Sequence, residues 1–281
     1  MRIKSAIGIL LLLSALSIST AFADEPPVKR PVAGGDLLLP YFEVDTTNPQ
    51  GLTTLWSLRN NSLQEVDVEV LYFETDSPQA PQRRDVFTLA AKAIRTADVR
   101  FVPNLEVDAD GVARGYVIFR GLEGADALQG DTFTITPDQN FASGQRLLNI
   151  DSTSPNQELC SSSTVRFLLG GGFTGGTNFR IWFEADSTPM GGDDAIVSYS
   201  VYSEAGGSPV FTTDLPSQQN SFEVDIETLL GPAQGAVNFG ALEFSFSGMV
   251  DDPPRNRLGH VSATLDALGA YSVGIEATCN N

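Results

Sequence analysis

Between Val66 and Phe73 the chain reads V-D-V-E-V-L-Y-F. Val66, Val68, Val70 and Tyr72 fall on one side, and Asp67 and Glu69 on the other. A period of two is the mark of a half-buried strand, because successive side chains of an extended chain point to opposite faces. The segment before it, T-T-L-W-S-L-R-N (Thr53–Asn60), runs into Asn60-Asn61-Ser62. Asn tolerates positive φ and bonds its own backbone, so this cluster reads as a turn. The spacing predicts an antiparallel hairpin over Thr53–Phe73 with one face on a core.

The same period returns along most of the chain. Phe133 and Ile135 alternate with Thr132, Thr134 and Thr136, and Ala97, Val99 and Phe101 with Asp98 and Arg100. Phe179, Ile181 and Phe183 oppose Arg180, Trp182 and Glu184, while Phe222, Val224 and Ile226 oppose Glu223, Asp225 and Glu227. Pro40 lacks a ladder donor, which predicts an edge strand or a bulge within Leu37–Val44. Helical periodicity is nearly absent, apart from short turns allowed near Leu122–Leu128 and Glu227–Leu230. The predicted fold class is all-β: two tandem β-sandwich domains, immunoglobulin-like or jelly-roll, over 36–152 and 153–281, with a closed barrel as the competing architecture. The halves also overlay at an offset near 125 residues, a domain-sized period. Leu37–Phe42 falls on Val165–Leu169, Val66–Phe73 on Ile196–Ser203 and Val117–Phe119 on Leu242–Phe244, with Trp56 and Trp182 in matching strands.

The first residues stand outside this pattern. Arg2 and Lys4 precede an apolar run, Ile7–Leu16, and Ala21-Phe22-Ala23 is a small-x-small cleavage site followed by Asp24. Residues 1–23 therefore read as a secretory signal peptide, and 24–35, with Pro26, Pro27 and Pro31, as a flexible leader. The apolar run is too short to span a bilayer, so membrane insertion is not expected. Secretion or a periplasmic location follows. The formal charge is −18, and removal of Arg2 and Lys4 makes the mature chain more acidic still. Such a surface repels nucleic acid and anionic lipid, and its simplest role is solubility. The two cysteines, Cys160 and Cys279, are predicted to form one disulfide in an oxidising compartment.

L-L-L-P-Y-F-E-V-D (Leu37–Asp45), T-T-L-W-S-L-R-N and N-F-A-S-G (Asn140–Gly144) resemble a group of secreted bacterial β-proteins. The likeness covers most of the mature chain and brings no functional residues to carry over. More loosely, the strand pattern is similar to immunoglobulin-like or jelly-roll modules of bacterial envelope proteins, a likeness of fold alone.

Few residues point to chemistry. His260 is the only histidine, so a Ser-His-Asp or Cys-His site would have to use it, and a strand-end role is the simpler reading. Asp108-x-Asp110-Gly111 resembles the start of a calcium loop but lacks the later ligands of an EF-hand. Asp108 and Asp110 are kept as calcium candidates, beside the acidic turns Asp193-Asp194 and Asp251-Asp252. Gly170–Gly176 has no Gly-Lys-Ser/Thr and no phosphate role. Trp56, Trp182, Tyr199 and Tyr202 would make a sugar platform if exposed, but core packing is the expected role. Asn60-Asn61-Ser62 is a formal glycosylation sequon, taken as coincidence. No catalytic residue stands out. The expectation is an exported, non-enzymatic structural or binding protein with a protein or glycan partner. A carbohydrate-binding or carbohydrate-active jelly-roll is the alternative, to be recognised by a concave face with exposed aromatics and a carboxylate pair.

Overall fold

The first strand, β1 (Asp36–Asp45), reads D-L-L-L-P-Y-F-E-V-D and is buried on both faces. That explains why it lacks a clean alternation, since a strand covered on both sides reads as a continuous apolar run. The computed structural model describes residues 35–75, 80–122, 127–137, 141–151, 157–169, 177–184, 195–203, 207–214, 220–231, 239–248, 258–267 and 271–280. The signal peptide and nearly all of the leader, Gly170–Gly176 and the two acidic turns at 193–194 and 251–252 lie outside these residues, as does the expected boundary near 152.

After β1 come β2 (Thr53–Asn60), β3 (Val66–Glu74), β4 (Arg83–Leu89), β5 (Ile94–Asp98), β6 (Val112–Gly121), β7 (Leu128–Thr136), β8 (Phe141–Arg146) and β9 (Leu148–Asn149). They form two sheets, ordered β4-β3-β6-β1-β9 and β5-β2-β7-β8. The later strands are β10 (Ser162–Leu168), β11 (Thr177–Phe183), β12 (Ala195–Ser203), β13 (Phe211–Asp214), β14 (Ser221–Asp225), β15 (Phe239–Gly248), β16 (Gly259–Ala267), β17 (Tyr271–Glu276) and β18 (Thr278–Cys279), with one helical turn, α1 (Ile226–Leu230), after β14. Their sheets run β13-β12-β15-β10-β18 and β14-β11-β16-β17. Each order is that of the first half moved on by nine strands. All paired strands are antiparallel, and among the described residues each sheet ends in an unpaired strand on either side, the arrangement of a sandwich and not of a closed barrel.

Each pair of sheets closes over its own apolar core. Leu37, Phe42, Trp56, Val68, Tyr72, Phe119 and Leu128 fill the first. Phe167, Phe179, Ile181, Val201, Phe244 and Val261 fill the second, together with Ile226, Leu229 and Leu230 of α1. A third cluster joins the halves: Leu38, Leu71, Phe73, Tyr116 and Leu148, from the outer face of the first sheet, pack with Trp182. Phe73 stacks on Tyr116 at 4.7 Å, and Tyr116 meets Trp182 edge-on at 6.0 Å.

Polar groups line this junction too. Ser221 Oγ donates to the Pro40 carbonyl at 2.6 Å. Pro40 marks a register shift between Leu39 and Phe42 in the β1–β6 ladder, the bulge its missing N–H demands. Arg180 is buried, pairs with Glu223 at 2.7 Å, donates to Thr134 Oγ1 at 3.3 Å and lies over the Tyr41 ring at 5.4 Å. Burial raises the pKa of Glu43 beside them, Glu223 raises it further, and Arg114 pulls it back.

Three local expectations are corrected. β2 and β3 are not a hairpin: β2 pairs with β5 and β7, and β3 with β4 and β6, so the two strands lie in opposite sheets. The turn at Asn60 is a corner between layers, for reasons given in the Discussion. In β7 the pattern is inverted, with Thr132 and Thr134 buried and Phe133 43% exposed. Thr132 can sit inward because its hydroxyl donates to the Leu55 carbonyl at 3.0 Å. The alternations running to Phe101 and Glu227 stop early, because Asp98 and Asp225 cap helical turns that begin at Val99 and Ile226. The two Trp do lie in matching strands, β2 and β11, as expected, though at different registers. Thr54 Oγ1 bridges the Glu43 N–H and carbonyl, and Thr177 Oγ1 does the same to Leu168, so these two threonines correspond. Trp56, two residues on, then falls on Phe179, and Trp182 falls on Arg59.

Candidate functional site

The sheets of a sandwich part at their edges, and in the first half they part over a hole. β4 and β5 are edge strands of the two opposing sheets. Val99–Phe101, a single 3₁₀ turn, follows β5. Between these elements lies a cleft of about 560 Å³, within the size range of small-ligand sites. Leu55, Val70, Ala97 and Val102 make apolar walls, with Trp56 and Tyr72 also lining it. Phe87 and Phe101 stand at the sides, Phe101 being 79% exposed.

The polar groups of the cleft differ in how well they are satisfied. Asp85 pairs with Arg83 at 2.6 Å. Asp98 accepts from the Thr53 hydroxyl at 2.5 Å and from the Arg100 N–H at 2.9 Å. Both carboxylates therefore already have donors. Arg95 lies over the Phe87 ring at 4.0 Å, a cation–π contact by a side chain that can only donate hydrogen bonds. Trp56 is 2% exposed, and its Nε1 has no hydrogen-bond partner. Burial pushes the Tyr72 phenol up to about 12, although the neighbouring Trp56 indole and Arg95 act to lower it. Trp56 Nε1 is thus a buried donor in want of an acceptor, a state it shares with Trp182 Nε1.

Apart from Trp56, the residues singled out from the sequence are placed elsewhere. Cys160 and Cys279 are bonded, with Cα atoms 5.6 Å apart across a separation of 119 residues. The bond ties β18 to the strand start beside it, where Ser163 faces Cys279 in the β10–β18 ladder. Asp108 and Asp110 stand together in the turn before β6, where Gly111 takes φ 82°. The Arg114 guanidinium pairs with both, at 2.5 and 2.9 Å, and with Glu43 at 2.8 Å. The hydrogen bond from Arg114 holds Asp110 below the usual carboxylate range. A cation at these two carboxylates would therefore have to displace a guanidinium. Among the described residues no three His, Cys, Asp or Glu side chains gather as a metal site would require.

His260 is half-buried near the start of β16, opposite Trp182 in the β11–β16 ladder. Glu223 pairs with Arg180 and Asp225 caps α1, so two members of the acidic face are structural. Trp56, Trp182 and Tyr199 are buried, and Tyr202 donates to Glu243 at 2.9 Å. Trp56 does line the cleft, but through its buried indole. Tyr72, Phe87, Arg95 and Phe101 were not singled out. Phe101 left one trace in the sequence: an aromatic following an alternation directly into Val102-Pro103, where no strand continues.

Searches against protein-family models, curated proteins and solved structures each returned no match.

Proposed function

We propose that this chain is an exported, non-enzymatic binding protein whose first half carries a ligand cleft and whose second half is a scaffold. The observation that carries the reading is the 560 Å³ opening between β4 and β5, apolar in its walls and lined by a buried indole that lacks an acceptor. Binding sites are concave, mainly apolar and marked by a few convergent polar groups, and this cleft has all three properties. Export is supported by the Arg2/Lys4 head, the Ile7–Leu16 run and Ala21-Phe22-Ala23, and the Cys160–Cys279 bond is compatible with an oxidising, periplasmic or extracellular setting. No helix among the described residues is long and apolar enough to cross a membrane. We read the repeated strand order as a duplicated sandwich, with domains at 36–152 and 153–281.

The test is a thermal-shift screen of the purified protein against small amphiphiles, peptides and oligosaccharides. A ligand that binds only the native state raises Tm by mass action. The expected result is a concentration-dependent rise for one chemical class, lost when the cleft is filled by Ala97→Phe. No rise for any class would sink the reading. A second reading, carbohydrate binding, is favoured by one observation: Phe101 is exposed on a rim shared with Asp85 and Asp98. An oligosaccharide hit abolished by Phe101→Ala would select it.

A further inference from the structure

The second half shows what occupies the corresponding space when that space is closed. Gly115 faces Phe42, and Gly240 faces Phe167, in equivalent ladders. Glu74 faces Gly115, and Ser203 faces Gly240, in the next ladders over. Counting back from these pairs along β3 and β12 sets Val70 in the place of Tyr199. Asp98 and Asp225, each capping the turn that follows it, correspond likewise.

Beyond these caps the halves diverge. After Asp98 the turn Val99–Phe101 buries Val99 alone. After Asp225 the longer α1 buries Ile226, Leu229 and Leu230, and the Tyr199 hydroxyl donates to the Leu229 carbonyl at 2.8 Å. The second sandwich is thus stoppered by aliphatic side chains and one carbonyl accepting a hydrogen bond from the sheet. The first has the small Val70 and Ala97 there, an open cleft, and an unsatisfied donor at Trp56 Nε1. Its carboxylates are engaged by Arg83, Thr53 and Arg100, so the polar capacity left over, from Trp56 and Arg95, is donor capacity.

We propose that the first-half cleft binds a small aliphatic ligand bearing a carbonyl or carboxylate oxygen, with its apolar body where the Ile226–Leu230 side chains sit in the second half and its oxygen accepting from Trp56 Nε1. This rests on the binding reading above and names its ligand class. Amide and acid share the acceptor, and Arg95 at the rim accommodates the charge of the acid.

The experiment is a proton–nitrogen NMR titration of the 15N-labelled protein with octanamide, octanoate and N-acetyl-leucinamide, and with a maltooligosaccharide for contrast. The two indole N–H signals are assigned with Trp182→Phe, or with Trp56→Phe where the first variant folds poorly. The expected result is a saturable downfield shift of the Trp56 indole proton with the amide or the acid, and a parallel rise in Tm. Both responses vanish in Ala97→Phe, and equally in Val70→Tyr, which installs the residue of the second half. No saturable shift with any aliphatic probe overturns the inference, as does a shift that survives both filled variants or moves Trp182 alone. A shift at Trp56 with the oligosaccharide only overturns this inference and leaves the binding reading standing. Silence to every probe here and in the thermal screen overturns both.

Discussion

Gly115 stands opposite Phe42 in the β1–β6 ladder, and Gly240 stands opposite Phe167 at the equivalent place in the second half. A Cβ on Gly115 would overlap the Phe73 carbonyl oxygen and come within 2.9 Å of the Phe42 ring. One on Gly240 would overlap the Tyr202 carbonyl and come within 3.2 Å of the Phe167 ring. The glycines are there for close approach, each letting a phenylalanine lie flat across its neighbour strand. Neither backbone carbonyl can rotate away without leaving its ladder. Gly115→Ala and Gly240→Ala should each destabilise by at least about 1–3 kcal/mol, the usual cost of overpacking. Urea unfolding curves measure this directly. An unchanged midpoint in either variant would show that the strands have room to part.

Asn60 shows why the expected hairpin became a corner. Its side chain is fully buried, and Nδ2 donates to the carbonyls of Gln64 at 2.7 Å, Leu89 at 3.0 Å and Ala90 at 3.2 Å. Its Oδ1 accepts from the Ser62 N–H at 2.8 Å. One amide thus ties the end of β2 to the end of β4 in the opposing sheet. Such burial also withholds the sequon at Asn60 from any modifying enzyme. Asn60→Ala leaves several buried backbone groups without partners and should cost about 2–4 kcal/mol, since each orphaned group costs about 1–3. Asn60→Asp should be no milder, because a carboxylate cannot donate to three carbonyls. Chemical denaturation of both variants checks the order.

These cases also mark what could be read in advance. Val66, Val68, Val70 and Tyr72 alternate because one neighbour layer covers them, and β3 was recognisable from that alone. Its destination was not, because the choice between a hairpin and a sheet crossing depends on Asn60 reaching Leu89, 29 residues away. β7 misled because a threonine satisfied by a backbone carbonyl is as good a core residue as an apolar one. The disulfide was legible because only two cysteines exist. The cleft was not, because it is a gap: it arises from the distance between β4 and β5 and from a turn too short to fill it. A single strand's pattern holds neither quantity. The missing α1 in the first half becomes visible only once the halves are laid in register.

Arg180 is a buried charged group at the junction of the halves. It is paired with Glu223 and touches Thr134 and Tyr41 of the first half. Removing one member of such a pair strands the other, so Arg180→Met should destabilise by about 3 kcal/mol, toward the low end of the range for buried pairs because Glu223 keeps some access to water. The double variant Arg180→Met with Glu223→Gln should recover part of that loss. A double-mutant cycle on thermal unfolding gives the coupling, and a coupling near zero would show that the Arg180–Glu223 pair does not stabilise the junction.

The Cys160–Cys279 bond closes a loop of 119 residues that holds most of the second half. Constraining so long a loop in the unfolded chain stabilises the native state by about 2–5 kcal/mol. Replacing both cysteines by serine should lower stability by that amount. Because α1 and its core belong to the closed loop, the loss should appear first as amide exchange in β10–β18. Exchange that rises first in β1–β9 would mean that the bond does not secure the second half.

Asp225 governs α1 and makes its hold on the second half dependent on pH. Burial pushes its carboxyl upward, but bonds from the Thr228 N–H at 2.7 Å and hydroxyl at 2.8 Å prevail and leave it below the ordinary value of 3.8. A carboxyl held low in the folded state stabilises that state when ionised. The contribution is complete well above 3.8 and disappears as pH falls through the lowered native value. The group is largely open to water, so the effect stays small: Asp225→Ala should cost about 0.5–1 kcal/mol at neutral pH, the low range for a lost helix cap. The difference between wild type and variant should shrink below pH 4 and vanish in stronger acid. Paired urea titrations across that window measure it. The same variant loosens the stopper of the second sandwich, so it should also speed amide exchange at Leu229 and Leu230. A gap that persists at low pH would remove the carboxylate from the explanation and leave helix propensity alone.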